Sequence, residues 1–109
     1  MEIRFKDKKL RRLCEERTVA ERKFGTACAR KLNARLSDLE AAVVVTELPA
    51  GNPHPLKGDR AGQFALNLAG GWRLVFAPAN DPCPRQVDGG INWSQVTIVT
   101  IEYIGNYHD

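Results

Sequence analysis

Apolar residues recur along this chain with two periods, and the change from one to the other divides it. Glu2-Ile3-Arg4-Phe5 alternates polar and apolar, which puts Ile3 and Phe5 on one face of a short, half-buried strand. The period then lengthens. Leu10, Leu13 and Cys14 follow Asp7 at i, i+3, i+4 spacing, so Asp7 reads as an N-cap and a helix is predicted from about Lys8 to Arg17. Thr18-Val19-Ala20-Glu21 has capping-box spacing, and a longer helix is predicted through Phe24, Ala27, Cys28, Leu32, Leu36, Leu39 and Val43. Gly25 weakens that helix by about 1 kcal/mol relative to alanine, which moves its expected start from Thr18 toward Gly25. Together these segments predict a two-helix hairpin.

Ala41 to Leu48 fits either a last helical turn or a short strand. Pro49 to Pro53 is a loop by composition. It delivers His54 between two prolines, and a residue that precedes proline is held in extended backbone. Beyond this point the period is two. Phe64, Leu66 and Leu68 alternate, Gly70-Gly71 makes a tight turn, and Trp72 to Phe76 returns, which predicts a hairpin. Pro78 to Trp93 reads as a long loop. Gln95 to Ile104, rich in Val, Ile and Thr, is the strongest β-former and is expected to be a central strand. Strand, helix, helix and three strands predict one α+β domain over residues 1–109, with the helices on one face of a mainly antiparallel sheet.

Composition narrows the class. With 109 residues, 43% hydrophobic and 27% charged, the chain suits one soluble domain. No apolar run approaches the roughly 18 residues of a spanning helix. The charged start is unlike a signal peptide, so the expectation is a cytoplasmic protein without a membrane partner. Cys14, Cys28 and Cys83 lack any C-x-x-C spacing, which argues against a disulfide framework or structural zinc, and no metal or cofactor is expected. Cys14 and Cys28 read as small core residues. Residues 1–40 carry twelve Lys/Arg and seven Asp/Glu, whereas the remaining residues carry four and six. The basic first third suits a polyanion or an acidic protein as partner, though solvated helix faces are often rich in cations.

Candidate chemistry is concentrated late. The serines Ser37 and Ser94 lie in no nucleophile elbow, and P-loop and dinucleotide fingerprints are absent. Left over are His54, Lys57, Arg60, Arg73, Tyr103, Tyr107 and His108. Cleavage of RNA needs a base for the 2′-hydroxyl proton, cations for the pentavalent transition state and an acid for the departing 5′-oxygen. Histidine, with an ordinary pKa near 6.5, can make both proton transfers, and Arg and Lys can hold the charge. Each residue also has a plainer role. Asp59 and Arg60 read as structural or at most electrostatic, Arg73 as a partner stacked on Trp72, and Tyr103 as packing on the last strand. Tyr107 and His108 would fray by default. From the residues alone, the reading stops at a basic surface that contains histidine.

The run His54-Pro55-Leu56-Lys57-Gly58-Asp59-Arg60, followed by Gly62, Trp72-Arg73 and a terminal Tyr107-His108, resembles the HigB-type toxins of the RelE/ParE superfamily. That resemblance implies a RelE-like fold and the toxin of a type II toxin–antitoxin pair, an endoribonuclease that cuts mRNA within the ribosome and arrests translation. It implies two partners, a helix-turn-helix antitoxin and the ribosome with its mRNA. It also assigns His54 and His108 to proton transfer, Lys57 and Arg73 to phosphate and transition-state charge, and Tyr107 to positioning a base. Relatives of the gyrase-directed ParE kind, which act by binding, generally lack this histidine and Tyr-His set. A third possibility is an inactive, antitoxin-binding relative. The chain departs from the family pattern at Asn106, where an acidic residue is usual, at Asn67-Leu68, where an arginine is common, and in the longer loop from Pro78 to Trp93.

Overall fold

The strands of the second half carry the main core on one side and a smaller apolar cluster with polar residues on the other, and that division positions everything else. In the computed structural model, which describes residues 1–106, five strands form one sheet in the order β1-β5-β4-β3-β2. They are β1 (Glu2–Phe5), β2 (His54–Pro55), β3 (Phe64–Asn67), β4 (Arg73–Pro78) and β5 (Ile98–Gly105). β1 runs parallel to β5 and the other pairings are antiparallel, so the sheet is mixed but mainly antiparallel, as expected. β5 is an interior strand between β1 and β4. It begins at Ile98 rather than Gln95, because Trp93–Gln95 forms a 3-10 turn whose Trp93 ring packs 4.7 Å from the ring of Phe64.

The helical half holds three helices instead of the expected two: α1 (Lys8–Glu15), α2 (Arg17–Phe24) and α3 (Thr26–Ala41). Asp7 caps α1, its carboxylate accepting from the Leu10 amide at 2.8 Å. Thr18 does not cap α2. That helix starts at Arg17, directly behind Glu16, which also ends α1 and leaves no room for a separate cap. The predicted long helix breaks at Gly25, whose φ of +85° is a conformation that side chains with a Cβ rarely adopt. The apolar stripe survives the break, since Ala20, Cys28, Ala29, Leu32, Leu36 and Leu39 are all buried. Ion pairs Arg11–Glu15, Arg12–Glu16 and Arg17–Glu21 lie on the solvated side, where each contributes about 0.3–0.5 kcal/mol.

The stripe packs on Leu66, Leu74, Phe76, Val99 and Ile101, all fully buried. Residues 41–48 are neither a longer helix nor a strand. α3 ends at Ala41, and a 3-10 turn at Val45–Glu47 tucks Val45 and Leu48 into the same core. Among the described residues, no helix is long and apolar enough to cross a membrane.

One irregularity sets the faces of β5. Val75 pairs with Tyr103, but Phe76 pairs with Ile101, so Glu102 is the extra residue of a β-bulge. Without it, Tyr103 would share the covered side with Val99 and Ile101. The bulge reverses the phase, so that Ile104 is buried and Tyr103 emerges on the open side, 36% exposed. The expectation that Tyr103 simply packs on the last strand is therefore corrected.

Candidate active site on the open sheet face

Paired residues of neighbouring antiparallel strands point to the same side of a sheet. Following the register from strand to strand, His54 faces Ala65, Ala65 faces Val75, and Val75 faces Tyr103. The result is one row across four strands, with a histidine at one end, a tyrosine at the other and small apolar residues between. At the usual spacing of strands the row is roughly 14 Å wide. The next row holds Asn67, Arg73 and Gly105. On this side Leu56, Ala65 and Val75 form a small apolar cluster of their own, Ala65 and Val75 with no exposed surface.

His54 is held in a defined state. Its ring Nδ1 lies 2.7 Å from the carbonyl oxygen of Asn52. A carbonyl can only accept, so Nδ1 carries the proton of this bond and Nε2 is left as the working atom, an acceptor in the neutral ring and a donor in the charged one. The loop that bears it is fixed to the sheet through Gly51, whose carbonyl accepts from the Asn67 amide at 2.6 Å. Gly51 has a φ of +87°, and a Cβ there would come within 2.9 Å of the Arg35 side chain, so only glycine lets the loop lie this close.

Arg73 is half-buried, and its Nη1 lies 3.5 Å from the Gly71 carbonyl. It is not stacked on Trp72, which instead packs edge-on against Phe24 on the helix side at 4.8 Å. Lys57 is exposed, in the loop between β2 and β3. The structure thus brings His54 and Arg73 to one face, on strands separated by β3, with Lys57 beyond the sheet's edge. Tyr107 and His108, the other two expected site residues, lie outside the described residues. They follow Asn106, whose side-chain amide donates to the Gly70 carbonyl at 3.2 Å and ties the end of β5 to the turn before Arg73.

Two residues read as structural belong to this face. The Arg60 guanidinium lies over the ring of Tyr103, 4.4 Å from its centroid. The ring itself covers Gly105, where an added Cβ would fall inside it. Since Gly105 is the register partner of Arg73, the stack sits next to Arg73. The run of cations around Lys57 hinted at Arg60, whereas Tyr103, though a candidate by residue type, was read as packing on the last strand.

Other chemistry is placed elsewhere. Burial, with Glu15 beside it, pushes the Cys14 thiol up to about 12, and burial raises Cys28 as well, so both are protonated at neutral pH and poor nucleophiles. Among the described residues, no three His, Cys, Asp or Glu side chains gather where they can hold a metal ion. A groove of about 370 Å³ lined by Ile3, Phe5, Arg11, Cys14 and Leu36 lies on the helix side at the β1 edge.

No family model matches the chain. Over 48 residues, 42% of the chain, it is 35% identical to "Endoribonuclease HigB" of Proteus vulgaris, and it spans about half (52%) of that curated relative. Among solved structures, a YoeB/ParE toxin from Agrobacterium tumefaciens matches over 99% of this chain and 100% of its own, with a TM-score of 0.61 and 13% identity. The YoeB–YefM complex from Staphylococcus aureus matches over 100% of this chain and 98% of its own, with a TM-score of 0.57 and 16% identity. At such identities the likeness is one of fold.

Proposed function

We propose, from the premise that this chain is built on the RelE/ParE toxin fold, that it is the toxin of a toxin–antitoxin pair and an endoribonuclease that cuts mRNA on the ribosome. The observation that supports this most is that a histidine whose Nδ1 donates to the Asn52 carbonyl shares one side of the sheet with Arg73. The partial match to a HigB endoribonuclease points the same way.

In this reading RNA reaches the half-buried His54 and Arg73, which stand on the same side of the sheet as the buried Leu56, Ala65 and Val75. The 2′-hydroxyl loses its proton, its oxygen bonds to phosphorus, and the bond to the 5′-oxygen breaks as that oxygen gains a proton. The products are a 2′,3′-cyclic phosphate and a free 5′-hydroxyl. His54, through Nε2, and His108 share the two proton transfers, each worth roughly 10²–10⁴ in rate. Arg73 and Lys57 hold the extra charge on the phosphoryl oxygens, Arg73 through a two-pronged contact. Tyr107 stacks on or positions a base. The antitoxin partner is of the helix-turn-helix kind, and the site of action is the cytoplasm. The basic face of α1 and α2 suits either ribosomal RNA or an acidic antitoxin segment.

Inducing the protein alone in a bacterial host tests this. Translation stops, and mRNA is cut only where ribosomes occupy it. His54→Ala and Arg73→Ala each relieve the arrest while the protein still folds. Arrest with intact mRNA and damaged DNA would instead identify a gyrase-directed toxin.

A further inference from the structure

A groove between α1 and α2 shares no lining residue with the row from His54 to Tyr103, and the cleavage chemistry above leaves it unused. We infer that it docks an acidic, amphipathic helix of a protein partner. This takes up the basic face of α1 and α2, selects a peptide over RNA for it, and holds whether or not the chain cuts RNA.

Three observations carry this. The first is the lining. The groove, of about 350 Å³, is formed by Lys9, Arg12, Leu13, Val19, Arg22 and Lys23, four cations with two aliphatic side chains and no carboxylate among the described residues. Arg12 is neutralised by Glu16 at 2.9 Å. Among the described residues, Lys9, Arg22 and Lys23 take part in no ion pair, and all three are exposed.

The second is the position of Lys9. A cation at the start of a helix opposes the helix dipole, and α1 begins with Lys8 and Lys9 and has no acidic residue in its first turn. Arg22 and Lys23 suit the last turn of α2, but helix stability does not explain Lys9. An acidic ligand does.

The third is the apolar floor. Leu13 is 5% exposed and Val19 is half-buried. An adjoining groove of about 270 Å³ shares Lys9, Leu13 and Lys23 and continues to Leu10 and Ile104, with Asp7 and Glu102 also lining it. An aliphatic floor flanked by cations matches a helix with apolar residues at i, i+3, i+4 spacing and carboxylates beside them. Single-stranded RNA would find no aromatic ring to stack on in the first groove, and its phosphates gain nothing from aliphatic side chains.

Fluorescence anisotropy with the purified chain and a labelled synthetic helix, leucines on one face and glutamates on the other, tests the groove. Binding is saturable, and a peptide of the same composition with its leucines scattered around the helix does not show it. Lys9→Glu and Lys23→Glu each weaken binding about threefold and together about tenfold. Arg85→Glu, an equal change of charge at an exposed site outside the groove, leaves it unchanged. Lys9→Glu, which places an acid at the start of α1, melts no lower than the parent, so its loss of binding is not a loss of fold. Absence of saturable binding, equal binding of the scattered peptide, or Lys9→Glu and Lys23→Glu proteins that bind as the parent does would overturn the proposal. A single-stranded RNA that binds more tightly than the peptide and weakens in the same two variants would overturn it in favour of a nucleic acid. Ribosome-dependent cleavage is read in a separate assay, so failure of the nuclease reading and failure of the groove are told apart.

Discussion

The two sides of one sheet carry different cargo. Toward the helices, Leu66, Leu74, Phe76 and Ile101 are fully buried and pack against Leu32 and Leu39. On the other side, separated by one residue along each strand, lie His54, Arg73 and Tyr103, none of them buried. The helix side holds the main core, whereas the other side combines the small buried cluster of Leu56, Ala65 and Val75 with polar groups that the core does not need. Strand alternation allows this separation, and it implies that substitutions on the two sides fail in different ways.

The sharpest break comes from the covered side. Phe76→Ala removes a ring with no exposure, and deletion of a buried phenylalanine costs about 3–5 kcal/mol. Chemical denaturation should show that loss, and whatever activity the variant retains should track the fraction still folded. Gly105→Ala sharpens the contrast from the open side. The new methyl displaces the Tyr103 ring, a partly exposed group beside Arg73, so stability changes by no more than about 1 kcal/mol while ribosome-dependent cleavage falls measurably.

At neutral pH the smallest effect concerns Cys14. Its thiol is raised to about 12 in the fold, so the folded chain holds that proton where an unfolded one, titrating near 8.5, releases it. Stability therefore falls as pH rises from about 8.5 toward 12, and Cys14→Ala flattens that decline. Denaturation midpoints measured across that range check the slope.

Much of this division was legible in the sequence. Alternation marked the hairpin of β3 and β4, the β-rich run marked β5, and the stripe through Cys28, Leu32, Leu36 and Leu39 marked the helical cover. The break at Gly25 was visible only as a weak point, because apolar spacing continues across it and periodicity does not register a reversed φ. β2 holds only two residues, too few to alternate, so the pairing that carries His54 into the row was hidden. The bulge concealed Tyr103 more thoroughly. Counted by twos from Val99 and Ile101, Tyr103 falls on the covered side, and only the skip at Glu102 moves it to the open one. Arg60 meets Tyr103 across 43 positions of chain, a contact that depends on sheet order rather than local pattern.

The account's central claim is that the open face cuts RNA. Its most direct test is the chemistry of the ends left on ribosome-bound mRNA by the purified protein and by Arg73→Ala. The parent should leave a 2′,3′-cyclic phosphate and a 5′-hydroxyl, and Arg73→Ala, folded as stably as the parent, should cut about 10²–10³-fold more slowly. Equal cleavage by the two proteins, or ends of another chemistry, would contradict it.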